Sequence, residues 1–421
     1  DLDFVARLGD VAIAGVSAAG NAQFLVLALT QILGVGTMVL VSHAAGRKDR
    51  DDANLIFNQS LLLAAVCATA TLVGGYALAG LYMRTLGADA ATVASGTTYL
   101  RWFMPAMAMQ FALVVLGSAL RGTGIAKPTM VVQMSTVVLN ALLAPVLIAG
   151  WLTGRPLGVA GAALASSISV AVGVLLLLLY FVRLEKFVAF DPTLFQVRLA
   201  QWRRILKIGL PASGEFALLF AYMAVIYWVI RGFGPEAQAG FGVGGRVMQA
   251  IFLPAMAVAF AAAPVAGQNF GARRHDRTRA TFRSSIMIGS GVMFTATLLC
   301  QWQADWLVSR FTSDPAVIAV SSQFLHIVSW NFVAQGVIFT CSGLFQSLGN
   351  TVPAVISSAT RIATFALPAV WLSTRPGFAL RHVWYLSVAT VALQMLVSLL
   401  LLRREFGRRL DQVTQGAPVA A

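Results

Sequence analysis

The chain has 421 residues, is 58% hydrophobic and only 11% charged, and has a mean hydropathy of +0.79. A water-soluble globular domain is excluded, because no soluble core absorbs so much apolar surface. The net charge of +14 comes from basic residues scattered between apolar runs, so it points to membrane topology and away from a nucleic-acid partner.

A stub over 1–8 opens the chain with Asp1, Asp3 and Arg7 and no signal-peptide pattern. Apolar runs between charged interruptions then predict helices over 12–42, 54–82, 92–120, 127–151, 158–182, 206–231, 237–267, 280–308, 316–346, 352–373 and 379–402. These runs lack the period-2 alternation of barrel strands, and backbone amides in lipid must be satisfied within a helix or a closed barrel, so helices remain. The expected fold is an all-α integral membrane protein. Cys67, Cys300 and Cys341 lie in or beside apolar segments without CxxC pairing, which indicates neither a disulfide framework nor a zinc site.

A shift of 225 positions matches the chain to itself without a gap: Gly9 falls on Gly234, Gly15 on Gly240, Gly46 on Gly271 and Asp51 on Asp276. Asp89 then meets Asp314, Gln110 meets Gln335, Gly124 meets Gly349 and Pro128 meets Pro353. In that register the stub corresponds to 226–233, the end of a helix, so about twenty residues are expected to precede Asp1 and complete a first helix. The expectation is twelve helices in two parallel six-helix lobes, with the first helix mostly missing from this chain. The expected division is an N-terminal lobe over 1–183, a cytoplasmic amphipathic linker over 184–204, a C-terminal lobe over 205–404 and a cytoplasmic tail over 405–421.

Of the 30 lysines and arginines, 20 fall on one side, among them Arg47, Lys48, Arg121, Arg203, Arg279 and Arg403. The positive-inside rule makes that side the cytoplasm and places both termini there, in a multi-pass protein of a bacterial-type inner (plasma) membrane. The run 195–205, with Trp202 at its basic end, reads either as an amphipathic segment on the membrane surface or as a plain solvated connection.

In lipid the informative residues are polar, because an ionised side chain at mid-membrane costs from about 2.5 kcal/mol upward. Asp1 can couple protonation to conformation if it faces a wet cavity; the alternative is an interfacial residue at a helix end. Glu215 follows the potential bend at Pro211 and reads as a proton or cation site, or as a carboxylate snorkelling toward Lys207. Gln110, Asn140, Ser166, Arg246, Gln249, Gln335 and Arg361 complete the main polar set, each either a cavity group or a helix-joining hydrogen bond. Tyr222 and Met223, with Trp102, Met107 and Phe252, are candidates to line a permissive apolar cleft. No HExxH, GxxxxGK[ST], nucleophile elbow or dinucleotide fingerprint occurs, so no enzyme and no ATP-driven pump is indicated.

The string 1–9, DLDFVARLG, followed by Ala14-Gly-Val-Ser17, resembles the first-to-second helix junction of the multidrug and toxic compound extrusion (MATE) family. Arg121-Gly-Thr-Gly124 through Pro128, Asn140 to Pro145, Gly158 to Ala163, Gly209-Leu-Pro211 and Gly267-Gln-Asn-Phe-Gly271 resemble family landmarks in order. The resemblance covers essentially the whole chain. It implies a secondary active multidrug exporter, in which inward H+ or Na+ is exchanged for cationic or amphiphilic small molecules by alternating access. It places cation coupling on Asp1, Asn140 and Ser166, with Glu215 one turn before the second-lobe position. Ala144 stands where some members carry a further acid, and Gln335 where sodium-coupled members appear to carry another, so proton coupling is preferred over sodium. Gln110, Gln335, Gln249, Arg246, Tyr222 and Met223 are the expected cleft residues. No resident metal or cofactor is expected; the partners are the substrate and membrane lipids, and the protein is expected to be a monomer. The competing readings are a flippase for lipid-linked saccharides, which calls for cations such as Arg246 and Arg361 to grip pyrophosphate, and a non-transporting membrane scaffold.

Overall fold

The structure, a computed structural model, describes residues 9–86, 89–151, 154 and 156–411. Asp1 and the expected first-helix stub lie outside the described residues. Five long helices come first: α1 (Asp10–Arg47), α2 (Arg50–Leu86), α3 (Ala90–Gly122), α4 (Lys127–Ala149) and α5 (Val159–Arg183). After a connection come α6 (Leu199–Ile230), α7 (Pro235–Gly271), α8 (His275–Ser309), α9 (Pro315–Val328), α10 (Phe332–Ser347), α11 (Val352–Ser373) and α12 (Leu380–Phe406). A 3-10 turn, Ser329–Asn331, joins α9 to α10 into one span, so among the described residues eleven spans are long and apolar enough to cross a membrane. All eleven expected runs appear as helices.

The chain divides into two compact units with the boundary between Gly209 and Leu210, inside α6. In the first unit α3 is central and packs against α1, α2 and α5. In the second, the span made of α9 and α10 holds the same place and packs against α7, α8 and α12. The ends repeat as well. Asp89 caps α3 by accepting from the Thr92 N–H, and Asp314 caps α9 by accepting from the Ala316 N–H. Gly9 and Gly234 precede α1 and α7 with nearly the same backbone, φ 101° and ψ 170° against φ 95° and ψ 174°, a conformation L side chains rarely adopt.

The connection 184–198 lies along the start of α2. Its backbone is held by Asn54, Asn58 and Gln59, while Phe57 stacks on Phe181 at 4.8 Å and packs on Phe190 at 5.3 Å. The structure differs from expectation at its far end. Leu199 already begins α6, so 199–205 is the first stretch of a span and not part of a separate surface segment. The reason is packing: Ile205 is fully buried, and its carbonyl oxygen lies 2.5 Å from where a Cβ on Gly36 would stand.

Candidate functional site

The first unit encloses a cavity of about 330 Å³, walled by α1, α3, α4 and α5. Helical spacing builds its walls. On α3, Phe103, Met107 and Gln110 follow one another at intervals of four and three residues and share a face. On α4, Thr136 and Asn140 are one turn apart, and on α5 so are Ser166 and Ser169. Asn140 Nδ2 donates to Ser166 Oγ at 2.9 Å, joining α4 to α5 across the cavity wall, and Ser166 Oγ reaches the Ala162 carbonyl oxygen at 3.4 Å. Tyr99 stacks on Phe103 with centroids 5.2 Å apart, so one side is aromatic and the other carries amide and hydroxyl groups. Such a mixture suits an amphiphile: apolar surface supplies affinity and a few convergent polar groups set orientation.

Three of the expected residues, Gln110, Asn140 and Ser166, are thus brought together. Gln23 and Thr136 were missed. The available signals were a glutamine interrupting the apolar run of α1 and a threonine one turn before Asn140. Ala144, also one turn from Asn140, is fully buried.

In the second unit the polar groups lie on two levels of α6. Glu215, half-buried, accepts a hydrogen bond from Ser342 Oγ on α10 at 2.6 Å. Seven residues on, about 10 Å along the helix, Tyr222 is buried and its hydroxyl shares a hydrogen bond with Ser387 Oγ on α12 at 2.9 Å. The Arg361 guanidinium of α11 lies 3.9 Å from the Tyr222 ring centroid, and its Nη1 donates to Gln335 Oε1 at 3.4 Å. Arg361 makes no ion pair among the described residues, and its Nε is buried without a hydrogen-bond partner. Gln335, the repeat counterpart of Gln110, is therefore placed beside a cation. Met223 packs half-buried against the apolar core formed by Tyr222, Phe241, Phe324, Phe365 and Trp384. Arg246 and Gln249 are exposed on α7 and join neither cluster.

Comparison with known proteins agrees with this architecture. The MatE family model matches residues 1–146 and 211–372. The chain is 25% identical over 354 residues to the probable multidrug resistance protein YoeA of Bacillus subtilis (strain 168), covering 83% of this chain and 76% of that protein. It is 24% identical to the multidrug export protein MepA of Staphylococcus aureus (strain N315), covering 80% and 74%. Among solved structures it superposes on a MATE transporter in the bent conformation with a TM-score of 0.91 at 22% identity, covering 98% of this chain and 91% of that one. A MOP superfamily transporter from Pyrococcus furiosus, described as having a binding pocket of reverse polarity, superposes with a TM-score of 0.88 at 22% identity over 96% and 90%. These structural likenesses establish the fold, and the family match extends over both units. The chain belongs to the MatE family, whose members are multidrug efflux transporters.

Proposed function

We propose that this protein is a cation-coupled antiporter that exports cationic or amphiphilic small molecules by alternating access of two six-helix lobes. The observation that carries the reading is the cavity of about 330 Å³ in the first unit, where Gln110, Asn140 and Ser166 stand opposite aromatic and methionine side chains. The multidrug export relatives support the substrate class. Proton coupling is preferred: Asp1 and Glu215 are the carboxylates assigned to it, Asn140 and Ser166 the neutral ligands of the first-lobe site, and no resident cofactor is invoked. Protonation of a carboxylate changes its hydrogen bonding and so biases one conformation over another. The protein works as a monomer in the plasma membrane with both termini and the basic loops in the cytoplasm.

The test uses protein that includes the sequence preceding Asp1, reconstituted in liposomes, with efflux of cationic dyes followed under separate proton and sodium gradients. Asp1→Asn and Glu215→Gln are expected to abolish proton-driven flux. Full proton-driven transport by both variants overturns the coupling assignment, and sodium-driven flux without proton response overturns the preferred ion. Arg361 favours a second reading, a flippase for lipid-linked saccharides, because a guanidinium with a buried, unpartnered Nε suits a pyrophosphate. Retained dye export in Arg361→Gln argues against it.

A further inference from the structure

The second unit holds another cavity, of about 380 Å³, at the basic ends of α8 and α12. Its walls are apolar: Phe282 of α8 and Leu399, Leu402 and Phe406 of α12, with the Phe282 and Phe406 rings edge-on at 5.6 Å. Its rim is cationic. Arg279 and Arg403 line it, and both side chains are exposed. No carboxylate lines the cavity. The nearby acid on α12, Glu405, is buried and engaged elsewhere, by Arg409 Nε and Asn350 Nδ2, each at 3.1 Å. Beyond Phe406 the helix loosens into a π turn, Gly407–Asp411, and Gly407 also borders the cavity without a side chain to fill it.

Two cations over an apolar slot at the level where a span leaves the hydrocarbon match one class of ligand in both shape and charge. We propose that this cleft binds an anionic phospholipid of the leaflet facing the basic loops. Its phosphate lies between Arg279 and Arg403, and an acyl chain lies against Phe282, Leu399 and Phe406. Arginine is suited to this task because its planar fork grips phosphate oxygens in pairs. The apolar walls rather than the cations alone distinguish a lipid from a soluble phosphate, since free phosphate gains nothing from four hydrocarbon side chains. The proposal rests on the chain spanning a membrane and is independent of which ion or drug is transported.

The test is native mass spectrometry of the full chain, purified and exchanged into equal amounts of phosphatidylglycerol and phosphatidylcholine with matched acyl chains. Wild-type protein is expected to retain phosphatidylglycerol selectively. Arg279→Gln/Arg403→Gln should reduce that selectivity about tenfold, as removal of two interfacial charges requires. Arg279→Lys/Arg403→Lys should keep most of it, and Phe282→Ala/Phe406→Ala should shorten retention of lipid while millimolar inorganic phosphate displaces none. Equal retention of the two lipids by wild type, or undiminished selectivity in the glutamine variant, overturns the proposal. Displacement by inorganic phosphate makes the site one for a soluble anion and overturns it too. Should the glutamine variant fail to fold, photoreactive phosphatidylglycerol added to wild type decides the matter. Crosslinks in the peptides carrying Phe282 or Leu402 are expected, and crosslinks confined to other helices refute the site.

Discussion

Lys48 and Arg273, 225 positions apart, both stand in the left-handed backbone region, at φ 60° and φ 55°. Each closes the end of the corresponding helix in its unit. The Lys48 N–H donates to the Ala45 carbonyl and the Asp49 N–H to that of Ala44, while Arg273 N–H donates to Phe270 and Arg274 N–H to Asn269. This is the same paired pattern twice, a Schellman closure whose left-handed position is ordinarily filled by glycine. An L side chain there is strained, so Lys48→Gly and Arg273→Gly are each expected to stabilise by about 1 kcal/mol. Thermal unfolding in detergent checks this; a lower midpoint in both variants would show that these side chains hold the ends by contacts of their own.

The duplication was legible because glycine, proline and aspartate cost most when misplaced, so they keep the register that alanine and leucine blur. Spans were legible because hydropathy reports the solvent directly. The start of α6 was not, since 195–205 mixes basic and apolar residues as a surface segment does; only the tight approach of Ile205 to Gly36 commits it to the bundle. Among site residues, Asn140 and Ser166 were readable as polar groups in apolar runs, and the structure adds the bond between them. Ser342 was not readable as a partner of Glu215, because their meeting depends on how α6 and α10 face each other.

Gly209 makes the closest such approach. A Cβ there would run into the Ile32 carbonyl group of α1, and backbone cannot step aside as a flexible side chain can. Gly209→Ala should therefore destabilise the first unit by about 1–3 kcal/mol, whereas Gly20→Ala, with open space around it, should be neutral or slightly stabilising. Paired melting curves test the contrast. Equal midpoints would mean that α6 is not held against α1 at this point.

The connection 184–198 should loosen when Gln59 is altered. Gln59 is fully buried; its Nε2 donates to the Leu194 and Gln196 carbonyls at 2.6 and 2.7 Å, and its Oε1 accepts from the Arg198 N–H at 3.0 Å. Gln59→Ala strands these backbone groups at a cost of about 2 kcal/mol. Gln59→Glu keeps one bond and loses both donors, so it should fall as far or further. Faster trypsin cleavage at Lys186 and Arg198 in both variants is the expected result; unchanged cleavage would show that the aromatic stack of Phe57 and Phe181 holds the segment without help.

Asp89 should carry a pH-dependent part of the stability. The hydrogen bond from the Thr92 backbone N–H, followed by that from the Thr92 side chain, holds its carboxyl below the usual range. A carboxylate with a depressed folded pKa contributes stability that is present above its unfolded pKa and lost as pH falls through the folded value. The melting-point gap between wild type and Asp89→Ala should be constant near neutrality and should narrow below about pH 4. A gap that stays flat through the acid range would mean the cap acts through its neutral hydrogen bond alone.

The bond between Asn140 and Ser166 separates a working site from a packing contact. As a helix-joining contact alone it contributes about 0.6–2 kcal/mol to stability, and its loss should leave transport per folded molecule unchanged. As part of a coupling site, Asn140→Ala and Ser166→Ala should each lower proton-driven efflux about tenfold. The double variant should then be scarcely worse than either single one, because both remove the same interaction. Ser166→Thr keeps the hydroxyl and should retain function. Measuring efflux against a dye gradient without a proton gradient completes the cycle: a coupling defect spares downhill movement of the dye, whereas collapse of the cavity shared with Gln110 and Met107 reduces both. Equal losses in the two assays would therefore assign Asn140 and Ser166 to the shape of the cavity, and selective loss of the proton-driven flux would assign them to coupling.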